Sequence, residues 1–150
     1  MRLQSAIFHL EDTLLGPAGL PNGAEQVLSI LKMESVWLAA VTRLDRAAAE
    51  DALKQYGLTD YFRVLLSEQE TKTNVLSAEM LEKAMRRLHS ARMDTVVFCG
   101  TAEQISAAKS AGLRAAAVRT EKTGGEWEAM QTTADYAFAD YRELLEQDEE

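Results

Sequence analysis

The feature that most constrains the fold is a repeated alternation of short apolar runs with segments of helical periodicity. Apolar runs of strand length occupy residues 3–10, 36–41, 62–66, 95–99 and 113–118. Between them, apolar residues recur at helical spacing, as at Leu81, Ala84, Met85 and Leu88. This alternation is typical of β-α units that build a parallel sheet. The sequence therefore predicts an α/β fold: a three-layer, doubly wound, Rossmann-like parallel sheet of about five strands.

The helical segments also carry start and stop signals. Asn22, with Glu25 three residues later, predicts a capped helix start. Asp45 begins an alanine-rich helix that Gly57 is expected to end in a left-handed conformation. The remaining pattern predicts helices at 77–90, at 102–111 before Gly112 and at 141–147, a polar loop or short helix at 122–131, and a short edge strand at 136–138.

Length, charge and cysteine content limit the possible classes of protein. A chain of 150 residues with 47% hydrophobic content predicts one globular domain over residues 1–150. The net charge of -8, without a basic cluster, argues against a nucleic-acid partner. One cysteine and two histidines are too few for a disulfide or a structural zinc site. Because neither a secretion signal nor a membrane-spanning run is recognisable, we expect a cytoplasmic protein without a membrane partner.

Four residues that often carry chemistry have simpler structural interpretations in this sequence. Cys99, at the end of an apolar run, is expected to be a small buried side chain. His89 lies near a helix C-terminus, where a partial positive charge is favourable. Trp37 and Trp127 are expected to pack in or against the core.

Candidate site residues follow the predicted strands directly. In an open parallel sheet, ligands bind outside the carboxyl ends of the strands. The residues at those positions are 9–13, Thr42 with Arg43, 67–72, and Gly100 with Thr101. These segments are therefore where chemistry is expected.

Four of these segments, in order, resemble the motifs of the haloacid dehalogenase (HAD) superfamily of phosphohydrolases, in its phosphoglucomutase-like branch. "FHLEDTLL" is similar to the first motif, an apolar strand followed by Asp-x-Asp-Gly-Thr-Leu, and "AAVTR" to the second. "YGLTDYFRVLLS" resembles the segment leading into the third strand, and "TVVFCGTAEQISAAKSAGLRAAAV" the fourth motif with the helix and strand after it. The resemblance spans residues 6–145 and implies the HAD-like fold.

The resemblance also implies catalytic roles, and the sequence departs from the usual residues at most of them. His9 stands where the family has its nucleophilic Asp, and Glu11 where it has its general acid and base. Asp12 replaces a Gly. The acids of motif four match Cys99 and Gly100, or Thr101 if the alignment is shifted by one residue. None of these three residues is a carboxylate, and the nearest acid in the sequence is Glu103.

The phosphate-binding residues implied by the resemblance are only partly present. Thr42 and Arg43 follow the second strand, where a phosphate would lie, and Thr42 can donate a hydrogen bond to an anion. The Lys of motif three matches Val75, so Lys72 can replace it only if the loop is shifted.

Two functional hypotheses follow from these departures. An imidazole and a glycine in place of two carboxylates should remove most of the affinity for Mg²⁺, and phosphoryl transfer depends on that charge and positioning. We therefore expect a HAD-like domain without standard phosphatase activity, with a binding or assembly role and no cofactor. The alternative is a hydrolase of phosphorylated substrates that uses Glu11, with Asp12 or Glu103 as displaced ligands of Mg²⁺.

The spacing of the motifs leaves no room for the cap domain that many members of the superfamily carry. Only 28 residues separate Thr13 from Thr42, and a loop and a helix occupy most of them. The resemblance then implies an open cleft, which can serve as a surface for a protein partner or for a second copy of the chain.

Overall fold

The protein folds around a six-stranded sheet in which every strand pairs in parallel with its neighbours. The structure, a computed structural model, describes residues 3–15, 20–21, 23–120 and 123–148. The strands are β1 (Ser5–His9), β2 (Trp37–Thr42), β3 (Val64–Ser67), β4 (Thr95–Cys99), β5 (Arg114–Val118) and β6 (Tyr136–Phe138), in the order β3-β2-β1-β4-β5-β6. The predicted α/β fold is confirmed, and the short strand predicted at 136–138 is the sixth strand, at one side of the sheet.

Helices connect the strands. They are α1 (Leu10–Thr13), α2 (Ala24–Met33), α3 (Arg46–Gln55), α4 (Glu68–Thr71), α5 (Ala78–Leu88), α6 (Ala102–Ser110), α7 (Trp127–Thr133) and α8 (Tyr141–Asp148). The segment predicted as a polar loop or short helix forms a 3₁₀ turn at Gly124–Glu126 and then α7. Within the described residues between β1 and β2, the regular elements are α1 and α2.

Most of the predicted helix signals act as expected. The Asp45 carboxylate accepts a hydrogen bond from the Ala48 N–H at 2.8 Å and caps α3. Gly57, just beyond α3, has a φ of 69°, a conformation that glycine adopts without steric cost. Asn22 lies outside the described residues, and Gly23 occupies the N-cap position of α2.

Alternation along the strands divides the core into two layers. Phe8 and Phe98 project to one face, where their rings stack with centroids 4.4 Å apart beneath α2, α3 and α8. Ile7 and Cys99 project to the other face, which α5, α6 and α7 cover. Because the strands are parallel, all their carboxyl ends lie at one edge of the sheet, the carboxyl edge, and all their amino ends at the other, the amino edge.

The two tryptophans differ in their burial. Trp127 packs partly buried against the core, as predicted, but the prediction for Trp37 is wrong, because its side chain is 48% exposed. Trp37 is the first residue of β2 and therefore lies at the amino edge, beyond the buried part of the strand. The Arg63 guanidinium stacks over its ring, 4.1 Å from the centroid.

Cys99 is fully buried at the end of β4, as predicted, and burial raises the pKa of its thiol well above the usual range. Among the described residues, no helix is long and apolar enough to cross a bilayer.

Candidate functional site

The turn between β1 and α1 places the residues of the first motif at the carboxyl edge. β1 ends at His9, and α1 starts at the next residue without an intervening loop. The Thr13 hydroxyl donates a hydrogen bond to the His9 carbonyl at 2.8 Å, which closes the turn. His9, Glu11 and Asp12 are thereby held within four residues of one another.

His9 is enclosed in the protein. Its side chain is 2% exposed, and neither ring nitrogen has a hydrogen-bond partner within the described part of the chain. Burial, reinforced by the positive charge of Arg43, lowers the pKa of His9 from 6.5 to about 3. At neutral pH the residue at the family's nucleophile position is therefore an uncharged imidazole.

The Glu11 carboxylate binds the groups that follow β2. Its Oε1 accepts a hydrogen bond from the Thr42 hydroxyl at 2.5 Å, and its Oε2 accepts one from the Arg43 backbone N–H at 2.8 Å. The structure thus brings together three predicted site residues. The hydroxyl and the backbone N–H at the end of β2 donate to a carboxylate of the chain itself.

Asp12 is tied to the fourth motif through Gln104, a residue that the sequence analysis did not identify. The Gln104 Nε2 donates to the Asp12 carboxylate at 2.5 Å, and its Oε1 accepts from the Gly100 N–H at 2.8 Å. Gln104 is 1% exposed, between the positions of α6 that face the core. A glutamine within that buried stripe is the sequence signal that could have identified it.

Gly100 contacts the first motif so closely that a side chain does not fit. A Cβ at this position would lie 2.1 Å from the Asp12 carbonyl oxygen. The Thr120 hydroxyl donates to the same oxygen at 3.1 Å. The position of the motif-four acid can therefore hold a carboxylate only if the turn after β1 moves.

The N-terminus of α6 binds groups of the chain. The Thr101 side chain caps the helix by accepting from the Gln104 N–H at 3.3 Å. The Ala102 N–H donates to a carboxylate oxygen of Glu126 at 2.8 Å. Glu126 was also missed by the sequence analysis, because it lies 24 residues away along the chain.

The last residue of this network comes from α8. The Tyr141 hydroxyl, fully buried, donates to the Thr13 carbonyl at 3.0 Å. Burial raises the pKa of Tyr141, so the phenol is an uncharged donor.

Two predicted residues lie on the surface. Lys72 is exposed, with a φ of 55°, at the end of α4, whereas Val75 is buried. Glu103 is exposed on the first turn of α6, and its side chain forms no hydrogen bond or ion pair in the described residues.

The donor groups at the carboxyl edge do not fit Mg²⁺. Magnesium prefers carboxylate and other oxygen ligands in octahedral order. His9 offers an uncharged imidazole and Gly100 no side chain, while Asp12 and Glu11 already accept hydrogen bonds. In the described ranges, no group of three or more His, Cys, Asp or Glu residues could hold a metal ion.

A doubly wound parallel sheet with polar residues gathered at the carboxyl edge defines a Rossmann-like α/β domain with a candidate ligand site at that edge. The model of the haloacid dehalogenase-like hydrolases matches residues 18–118, and the chain belongs to that family. The matched range begins after the turn that holds His9 and Glu11.

Individual relatives agree with this assignment. Pyrophosphatase PpaX of Halalkalibacterium halodurans is 27% identical over 125 residues, which cover 83% of this chain and 58% of that protein. The core domain of a candidate phosphoglycolate phosphatase from Streptococcus pneumoniae TIGR4 superposes with a TM-score of 0.73 at 16% identity, over 99% of this chain and 97% of that one. CbbY from Rhodobacter sphaeroides, in complex with phosphate, gives a TM-score of 0.73 at 23% identity, over 83% of this chain and 56% of that one.

The sequence relatives and the solved structures support different conclusions about this chain. The chain spans about half the length of the curated relatives it matches. The solved structures, at 16% and 23% identity, support the fold.

Proposed function

We propose that this chain is a cytoplasmic HAD-like domain that lacks the family's standard phosphatase activity and acts by binding, a pseudoenzyme without a metal cofactor or a cap domain. The observation that supports this most strongly is the state of His9. A buried, uncharged imidazole occupies the nucleophile position. It supplies neither the carboxylate that attacks phosphorus nor an anionic ligand for a metal.

The surrounding hydrogen bonds support the same proposal. Phosphoryl transfer needs donors and positive charge arranged around the transferred group. At this carboxyl edge the Thr42 hydroxyl and the Arg43 N–H donate to Glu11. An incoming phosphate would therefore compete with a carboxylate of the chain for both donors.

One observation favours a second candidate, a hydrolase with altered residues. Two hydrogen bonds hold Glu11 in a fixed position, which is what a general acid or base requires. Mg²⁺ would enter only under this alternative, with Asp12 or Glu103 among its ligands. Because PpaX of H. halodurans is described as a pyrophosphatase, pyrophosphate is a necessary test substrate.

The test is phosphate release from pyrophosphate and from a panel of phosphate monoesters, with and without Mg²⁺. The natural protein is compared with Glu11→Gln, which keeps the size of the side chain and removes its charge. We expect equal background release from both. Mg²⁺-dependent release by the natural protein that Glu11→Gln loses would overturn the proposal in favour of the hydrolase.

We also propose a protein partner or a second copy of the chain at the carboxyl edge, where Arg43 and Lys72 are exposed. Sedimentation velocity over a hundredfold range of protein concentration tests whether the chain associates with a second copy of itself. If self-association occurs and uses this edge, Arg43→Glu with Lys72→Glu should weaken it, and Lys54→Glu on α3 should not. A sedimentation coefficient that stays constant leaves a different protein as the proposed partner.

A further inference from the structure

A pocket of about 910 Å³ opens beside the C-terminal half of α5, at the amino edge of the sheet and away from the candidate site. This α5 pocket is lined by Glu82, Met85 and Arg86 of the helix and by residues 89–93, which lead into β4. Its volume lies within the range of pockets that bind small organic ligands.

The lining of the α5 pocket carries more positive than negative charge. Arg86 and Arg92 contribute two positive charges, and Glu82 contributes one negative charge. The Arg92 guanidinium donates to the Glu82 carboxylate at 3.2 Å and to the Ala111 carbonyl at 2.9 Å, so these two charges compensate each other. The Arg86 guanidinium has no hydrogen-bond or ion-pair partner in the part of the chain that the structure describes. The pocket therefore offers one uncompensated guanidinium in a chain whose net charge is -8.

The end of α5 does not need the Arg86 side chain. His89 follows the helix with a φ of 54°, and its N–H donates to the Arg86 carbonyl at 3.2 Å. The Ser90 N–H donates to the Met85 carbonyl at 3.1 Å. Backbone donors thus satisfy carbonyls that basic side chains near a helix C-terminus often bind. The guanidinium of Arg86 is left to bind a ligand.

Apolar surface adjoins this charge. Met93 lines the pocket and is 82% exposed, while Met85 is 5% exposed and joins the pocket to the core. Methionine side chains are flexible and fill irregular apolar contacts. Met33 is exposed to nearly the same extent, at 81%, but does not line the pocket. The α5 pocket thus combines a cation with an adaptable apolar wall.

An adjoining pocket at the amino edge has the opposite charge. It has a volume of about 360 Å³ and is lined by Glu34 and Asp94, without a Lys or an Arg. His89 and Ser90 line both pockets. An anion at this edge is therefore attracted to the α5 pocket and repelled by its neighbour.

We infer that the α5 pocket binds a small organic anion with an apolar body, of the class of medium-chain carboxylic acids. The carboxylate pairs with the Arg86 guanidinium, whose planar fork matches a carboxylate through two parallel hydrogen bonds. The apolar chain of the ligand lies along Met85 and Met93. This inference concerns the amino edge and does not depend on the carboxyl edge being inactive.

The probes are octanoate, octanamide, which has nearly the same shape without the charge, and acetate, which has the charge without the apolar chain. NMR of ¹³C-methyl methionine follows the chain's six methionines. We expect octanoate to shift the Met93 signal saturably and to leave the Met33 signal constant. Octanamide should bind about fivefold more weakly, the upper range for an exposed ion pair. Acetate should cause no saturable shift at the concentrations where octanoate saturates.

Matched variants separate the pocket from the rest of the surface. Arg86→Gln should weaken octanoate binding by about fivefold, whereas Arg87→Gln, at the next position and outside the pocket lining, should leave it unchanged. Met93→Ser should weaken binding by about fourfold, the effect of one buried methylene. Met33→Ser removes an equally exposed methionine and should have no effect. Circular dichroism confirms that all four variants are folded.

Several results would overturn the inference. A Met93 signal that stays constant at millimolar octanoate would show that the pocket does not bind this class of ligand. Equal binding of octanamide, or equal losses in Arg86→Gln and Arg87→Gln, would show that Arg86 does not recognise the carboxylate. Equal binding of acetate would exclude a role for the apolar wall. Met33 and Met93 signals that shift with the same midpoint would indicate unspecific association.

Discussion

Acidic side chains at the two edges of the sheet differ in whether they accept hydrogen bonds from the chain. At the carboxyl edge, Glu11 and Asp12 accept hydrogen bonds from other residues of the chain, and His9 is enclosed. At the amino edge, Glu34 and Asp94 line an open pocket without such bonds in the described residues. Polar side chains at the carboxyl edge are thus held by hydrogen bonds within the chain, whereas two carboxylates at the amino edge face an open pocket.

The largest expected loss of stability follows from adding a side chain at position 100. Gly100→Ala places a Cβ 2.1 Å from the Asp12 carbonyl oxygen, so we expect the free energy of unfolding to fall by about 3 kcal/mol, the upper range for overpacking. Urea unfolding measures it. Gly125→Ala is the control, because a Cβ there meets no atom within 4 Å. Similar stability of the two variants would show that the carboxyl edge is not tightly closed.

Acidification should destabilise the carboxyl edge through His9. Its pKa is about 3 in the folded protein against 6.5 in the unfolded chain, so the unfolded chain binds the proton first as the pH falls. The contribution of His9 to stability is complete above pH 6.5 and is lost toward pH 3. Between pH 7 and pH 5 this loss should amount to about 2 kcal/mol.

Urea unfolding at several pH values measures this dependence. His9→Phe should remove it, whereas His89→Gln, at the exposed end of α5, should retain it. An unchanged pH dependence in His9→Phe would mean that His9 takes up its proton in the folded state.

A smaller loss of stability is expected when the hydrogen bond between α8 and the first motif is removed. Tyr141→Phe leaves the buried Thr13 carbonyl without the donor that lies 3.0 Å away, which should cost about 1 to 2 kcal/mol. Thermal unfolding measures this, with the partly buried Tyr56→Phe as the control. Equal melting temperatures for the two variants would contradict a structural role of the Tyr141 hydroxyl.

The smallest expected effect is a change in the affinity for inorganic phosphate. Glu11→Ala frees the Thr42 hydroxyl and the Arg43 N–H from their carboxylate partner. We expect inorganic phosphate to bind about fivefold more tightly by calorimetry, about 1 kcal/mol. Adding Thr42→Ala should cancel this gain. Tighter binding that persists without the Thr42 hydroxyl would place the phosphate elsewhere.

The fold could be predicted from the sequence because its signals are local. Apolar runs and helical spacing fall within a few residues, and Asp45, for example, caps α3 through Ala48, three residues away. The exposure of Trp37 was not predictable in this way. An aromatic residue at the start of an apolar run looks like a core residue, and its exposure depends on where the strand emerges from the covering helices.

The candidate site was predicted only in part, because its contacts join distant segments. His9, Glu11, Thr42 and Arg43 were placed at the correct edge by following the strand ends. The contacts of Gln104 with Asp12 and of Tyr141 with Thr13 join residues 92 and 128 positions apart, and no short window of sequence contains such a pair. The roles proposed for Lys72 and Glu103 stay predictions.

The burial of Cys99 gives this molecule its own reporter of conformational opening. The thiol is the chain's one sulfhydryl group, lies in a central strand and has a raised pKa, so a thiol reagent can react with it only after the strand is exposed. The rate of labelling therefore measures how often β4 opens, without any added probe. Because β4 pairs with β1, that rate also reports the opening of the sheet beside His9.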